Sequence, residues 1–121
     1  MYAHVVWTTL MGLPMIQTER RACAESHLIA ACRWVRAEPI AVCALPDRVH
    51  LLVRFQPADS LADLVGRIQA SSEEVLRRAR HPVRWSRRFA VATVSPAEVR
   101  RLMRQLASHD PGSPGVNGRR F

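Results

Sequence analysis

Pro46-Asp47-Arg48-Val49-His50-Leu51-Leu52-Val53-Arg54-Phe55 is the stretch whose reading decides the fold. Pro46 and Asp47 mark a turn: proline presets its φ angle, and aspartate can bond back to the nearby backbone. From Val49 to Phe55 (VHLLVRF) the residues are nearly all apolar. A half-buried strand alternates in polarity, whereas a run this dense suits a central strand buried on both faces. Upstream of the turn, Pro39–Leu45 reads as a second strand. Ala3–Thr9 (AHVVWTT) and Phe89–Val94 (FAVATV) are β-branched or aromatic enough to be two more.

Helical spacing fills the gaps between these strands. Thr18 can cap a helix running to about Arg36, with Leu28, Cys32 and Val35 as its apolar stripe. Met11–Pro14, with Gly12 and Pro14, makes a loop before it. After a turn at Pro57–Asp59, Ser60 caps a helix with Leu61, Leu64, Val65, Ile68, Val75 and Leu76 on one side. Ser95-Pro96-Ala97-Glu98 is the sharpest local signal: a serine cap, proline at the first helical position, glutamate three after the cap. The helix it starts carries Val99, Leu102, Met103 and Leu106 and ends near Ser108.

The order is β-α-β-β-α-β-α, an α+β chain. Its first six elements follow the ferredoxin-like split β-α-β pattern, an antiparallel sheet with two helices on one face. The other face is expected to lie open for a partner, with the last helix as an addition. One domain over residues 1–110 and a flexible tail over residues 111–121 are expected.

Composition narrows the partner. The chain has 121 residues, 48% of them hydrophobic, which is enough for one real core. The net charge is +8 and the isoelectric point near 11.3, so an anionic partner is expected. Every basic side chain is arginine, the planar fork that donates paired hydrogen bonds to phosphate. Cys23, Cys32 and Cys43 include no C-x-x-C pair, which argues against a disulfide framework or zinc ribbon and suits buried reduced thiols. Met1–Pro14 lacks the marks of a signal peptide, and no stretch is apolar enough to span a bilayer. A cytoplasmic protein with no membrane partner is the resulting expectation.

Four segments together carry a family resemblance. Tyr2–Thr9 (YAHVVWTT), Pro46–Val53 (PDRVHLLV), Ser60–Ser72 (SLADLVGRIQASS) and Trp85–Val94 (WSRRFAVATV) resemble, in order and spacing, the HUH-type transposases of bacterial insertion sequences. That group includes the REP-associated tyrosine transposases, and the likeness runs from Tyr2 to about His109. The resemblance implies proteins that cut single-stranded DNA beside a small hairpin. Two histidines on one strand would hold magnesium or manganese, and a tyrosine on the last helix would attack the phosphate. The two histidine positions are i and i+2 on a strand, so both face one side.

This chain departs from the pattern at both places. Arg48 stands where the first histidine would be, and only His50 is kept. A guanidinium has no lone pair to give a metal and stays charged. Gln105 falls at the expected tyrosine position, and the chain's one tyrosine is Tyr2. His109, one turn after Gln105, is the remaining candidate to meet His50 at a metal. No cofactor is expected to be retained.

The DNA-binding candidates are Arg48 and the cluster Arg77, Arg78, Arg80, Arg84, Arg87 and Arg88 before the last strand. Trp85 inside that cluster is read as core. The expected function is binding of single-stranded or hairpin DNA without tyrosine-mediated cleavage and joining. Two other readings stand beside it. One is a metal-dependent nuclease in which His50, His109, Asp47 or Asp110 holds the ion and water attacks. The other is an RNA-binding or protein-interaction module on the same sheet. A homodimer is possible through an exposed edge at Ala3–Thr9 or Phe89–Val94.

Overall fold

The computed structural model describes residues 1–56 and 60–108. Its elements are β1 (Tyr2–Thr8), α1 (Arg21–Trp34), β2 (Glu38–Leu45), β3 (Arg48–Arg54), α2 (Leu61–Arg78), β4 (Ala90–Val94) and α3 (Pro96–Ala107). Short 3-10 turns at Leu10–Gly12 and Thr18–Arg20 lie between β1 and α1. The four strands form one sheet in the order β2-β3-β1-β4, every neighbouring pair antiparallel. This is the expected split β-α-β arrangement with an added helix.

The PDRVHLLV segment does what its composition demands. Pro46 and Asp47 turn the chain, and β3 then pairs with β2 on one side and β1 on the other. Its apolar residues are buried on both sides because both sides are covered. Ala3, Val5 and Trp7 of β1 join Val49, Leu51 and Val53 of β3 in the main core. There they meet Ala24 and Leu28 of α1 and Leu64, Val65 and Ile68 of α2. Each valine, leucine or isoleucine among them contributes about 1.5–3 kcal/mol when withdrawn from water.

The opposite face is not open. α3 lies on it, and its Leu106 packs with Cys43 and Leu45 of β2 and Leu52 of β3. Val99 and Leu102 join from the margin, whereas Met103 is off this seam and 39% exposed. The helix starts firmly because the N–H and hydroxyl of Ser95 both donate to Glu98 Oε1, at 3.3 and 2.9 Å. With Pro96 at the first helical position, the predicted capping box is realised.

Several expectations are corrected. Thr18 does not cap α1; it opens a 3-10 turn, and the α-helix begins at Arg21. Ser60 does cap α2, accepting from Asp63 N–H at 3.4 Å. β1 is flanked on both sides, so it offers no edge for dimerisation; the edges are β2 and β4. Cys32 and Cys43 are buried thiols, pushed up to about 12 and about 11 by burial, while Cys23 is exposed. The tail expected over residues 111–121 lies outside the described residues. Among the described residues, no helix is long and apolar enough to cross a membrane.

Candidate functional site

The sheet's alternation sorts the chemistry. His50 lies opposite Val6 in the β1–β3 register, and His4 lies opposite Leu52. Opposed residues share a face, as do residues two apart. His4, Val6 and Thr8 of β1 therefore join Arg48, His50 and Leu52 of β3 on the side that α3 covers. His4 and His50 are diagonal neighbours there. Their rings stack with centroids 5.3 Å apart, and His4 Nε2 lies 3.1 Å from His50 Nδ1. One ring donates a hydrogen bond to the other. Both are buried, at 8% and 2% exposure.

Beside this pair α3 leaves a cleft of about 630 Å³. It is lined by His4, by Ala92, Thr93 and Val94 of β4, and by Glu98, Arg101, Leu102, Arg104, Gln105 and Ser108. Glu98, Arg101, Gln105 and Ser108 recur at spacings of four or three, which puts them on one stripe of the helix. Arg101 approaches Glu98 at 3.8 Å. Hydrogen bonds from the Ser95 hydroxyl and backbone N–H, with Arg101 nearby, hold the Glu98 carboxyl below its usual range. Two guanidiniums against one carboxylate leave the cleft net positive.

Gln105, read from the sequence as the position of the family's tyrosine, thus faces the same cleft as His4. The sequence reading missed His4, Arg101 and Arg104. Only weak local signals pointed to them. His4 is a polar interruption in an apolar central strand, Arg101 shares α3's polar stripe with Gln105, and Arg104 lies beside it.

Arg48 is on the site face two residues from His50, where its guanidinium pairs with neighbouring Asp47 at 3.2 Å. The arginine cluster does not converge on one point. Arg77 and Arg78 extend from the end of α2 and share Glu74. Arg80 follows with a left-handed φ of 61°. Arg84 is exposed, and its carbonyl accepts from Leu10 N–H at 2.8 Å. Arg87 pairs with Glu73 at 3.0 Å. Ser86 N–H donates to Thr8 carbonyl at 2.9 Å, and Thr8 lies opposite Arg48. Arg87 and Arg88 therefore flank the end of the sheet at which Arg48 sits, while Arg77, Arg78 and Arg80 belong to the helical layer.

Trp85 is core: it is 2% exposed, edge-on to Trp7 at 5.7 Å, and donates from Nε1 to Ser72 Oγ at 2.9 Å. Gln69 Nε2 donates to Ser86 carbonyl at 2.9 Å, and Trp85 N–H donates to Glu73 Oε2 at 2.8 Å. Buried Gln69 and Ser72 and half-buried Glu73 of α2 thus hold the arginine-bearing loop in place.

The described residues do not fit a magnesium or manganese ion. Hard dications prefer several oxygen ligands. Here the second histidine position is Arg48, the Asp47 carboxylate is engaged by that arginine, and the two imidazoles bond to each other. No group of three or more His, Cys, Asp or Glu comes together among the described residues. His109 and Asp110 lie outside them.

Two solved structures share the fold. A candidate transposase from Deinococcus radiodurans R1 superposes with a TM-score of 0.69 at 22% identity, over 87% of this chain and 86% of that one. A REP-associated tyrosine transposase bound to a REP hairpin superposes with a TM-score of 0.57 at 14% identity, over 87% of this chain. The match covers 62% of that longer protein. No curated protein matches the chain. The model of the IS200-like transposase family matches residues 1–107. With nearly the whole described chain matched, and with the sheet and added helix in place, this protein belongs to the IS200-like transposase family.

Proposed function

We propose that this protein binds single-stranded or hairpin DNA in the cleft between α3 and the sheet, and does not cut or rejoin it through a tyrosine. The observation that carries this reading is the cleft wall itself. Arg101 and Arg104 line it with Gln105 and His4, and no tyrosine is among its lining residues. Arginines can take phosphates there. A glutamine amide can donate to or accept from a phosphate or base edge, but it cannot form a phosphodiester. Arg48 supports the same reading: it places a fixed positive charge where the family resemblance implies a metal ligand. A structural relative bound to a REP hairpin makes DNA of that form the first substrate to try.

The test is a gel shift with a hairpin-bearing single strand across a salt series, with matched duplex and RNA alongside. Hairpin-preferring binding that weakens steeply with salt is expected, with no covalent protein–DNA adduct. Arg101→Gln and Arg104→Gln should each weaken binding and lower the salt slope by about 1. A covalent adduct, or strand cleavage that requires added manganese, would overturn the reading.

A further inference from the structure

On the far side of the sheet, the molecule carries a second feature suited to nucleic acid. Trp34 ends α1 and is 81% exposed. The chain's other two tryptophans, Trp7 and Trp85, are buried at 1% and 2%. Trp34 and Val35 form one wall of a groove of about 460 Å³ whose other wall is α2. From α2 come Arg67, Ser71, Glu74, Val75 and Arg78. Arg67, Ser71, Glu74/Val75 and Arg78 are spaced three or four apart, so they form one continuous stripe.

The charge of this groove is positive. Arg67 is exposed and makes no ion pair among the described residues. Arg78 is 77% exposed at its side chain and meets Glu74 at 3.5 Å, but Glu74 is also engaged by Arg77. One carboxylate is thus shared by two guanidiniums. Arg33 and Arg36 flank Trp34 in the chain, and both are exposed. An exposed indole beside exposed arginines offers a stacking face and cationic partners together, which suits an anion with flat apolar faces. Single-stranded nucleic acid has that chemistry, with bases to stack on an aromatic ring and phosphates for the arginines.

We propose that the α1–α2 groove is a second single-stranded DNA contact, in which Trp34 stacks on a base and Arg67 and Arg78 take flanking phosphates. It lies in the helical layer, with the sheet between it and the α3 cleft, so a strand using both would pass around the edge of the molecule. The class of partner rests on the proposed function, but the groove is a separate site and can stand or fall by itself.

Trp34 is also the reporter. The full chain is titrated with an oligothymidylate while iodide quenching of tryptophan fluorescence is followed; iodide reaches Trp34 and not the two buried indoles. At saturating DNA, Trp34 should be protected from iodide, and to the same extent in the Arg101→Gln/Arg104→Gln protein. Trp34→Ala should weaken binding roughly tenfold and Trp34→Phe much less, because a phenyl ring still stacks. Arg67→Gln should lower the salt slope by about 1. Binding that leaves Trp34 open to iodide, with Trp34→Ala as tight as the parent, would overturn this inference and leave the cleft reading intact. Absence of any DNA binding would overturn both. Protection that grows with protein concentration without DNA would show that a second copy covers the groove, and would also overturn it.

Discussion

The two faces of one sheet have been put to opposite uses. Toward α1 and α2, β1 and β3 present Ala3, Val5, Trp7, Val49, Leu51 and Val53, all apolar and all enclosed. Toward α3 the same strands present His4, Thr8, Arg48 and His50 among fewer apolar groups, with a cleft beside them. The first face holds the larger core cluster, and burying it from water is the main favourable term in folding. That permits the second to hold buried imidazoles and a positive cleft, which a lone sheet with one apolar face could not support as well. Enclosed apolar packing and the polar, positively charged cleft are separated here by the pleat, one residue apart.

Leu51 and Leu52 put that separation to its hardest test. They are neighbours, 1% and 0% exposed, and they belong to different clusters. Leu51→Ala should destabilise the protein by about 3 kcal/mol, because the cavity is ringed by rigid core. Leu52→Ala should cost less, about 2 kcal/mol, since partly buried neighbours such as Tyr2, Ile40 and Leu102 can settle into the gap. Urea denaturation of both would measure the difference. Equal costs, or the reverse order, would mean that α3 is as consolidated as the other helices and that the two faces do not differ as described.

A pH effect sharpens the contrast from the helical side. His81 follows α2 and is 4% exposed; burial first, then the nearby Arg20 guanidinium, hold its pKa below the usual imidazole value of 6.5. Above that value His81 is neutral folded or unfolded, and its contribution is fully present. As the pH falls through it, the unfolded chain takes up a proton that the folded protein resists, so stability declines until folded His81 itself protonates. Thermal midpoints should therefore fall as the pH is lowered from neutrality through 6.5. His81→Gln should show a shallower drop, and an unchanged slope would remove His81 from the account.

The smallest effect is at a helix end. Arg36 has a φ of 64°, and Ala37 N–H donates to Cys32 carbonyl at 2.9 Å, the closure that ends a helix with a left-handed residue. Glycine is the residue that takes this conformation without strain. Arg36→Gly should stabilise the fold by about 0.5–1 kcal/mol in the same urea experiment. A loss would mean that the Arg36 side chain contributes more to folding than its backbone costs.

Much of the fold was legible because it is written in short-range patterns. The dense apolar run of β3, the proline-aspartate turn and the Ser95–Glu98 capping box each depend on residues within a few positions of one another. Arg48 and His50 were legible as candidates because they are two apart on one strand. His4 was not, since its partner is forty-six residues away and only the β1–β3 register brings the rings to 3.1 Å. Arg101 and Arg104 were overlooked for a related reason. A polar stripe on a helix looks like a solvated face until the sheet it lines is known.

By itself, the sequence determined the order and type of the elements, the basic character, and the absence of a tyrosine on α3. Those depend on composition and local periodicity, which survive in one dimension. Only the tertiary structure decided that α3 closes over the second face, that His4 meets His50 beneath it, and that the arginines divide between two layers. Each of those is a contact between residues far apart in the chain. Strand register and helix docking set such contacts, and both are chosen by burying apolar surface across the whole molecule rather than by any one segment.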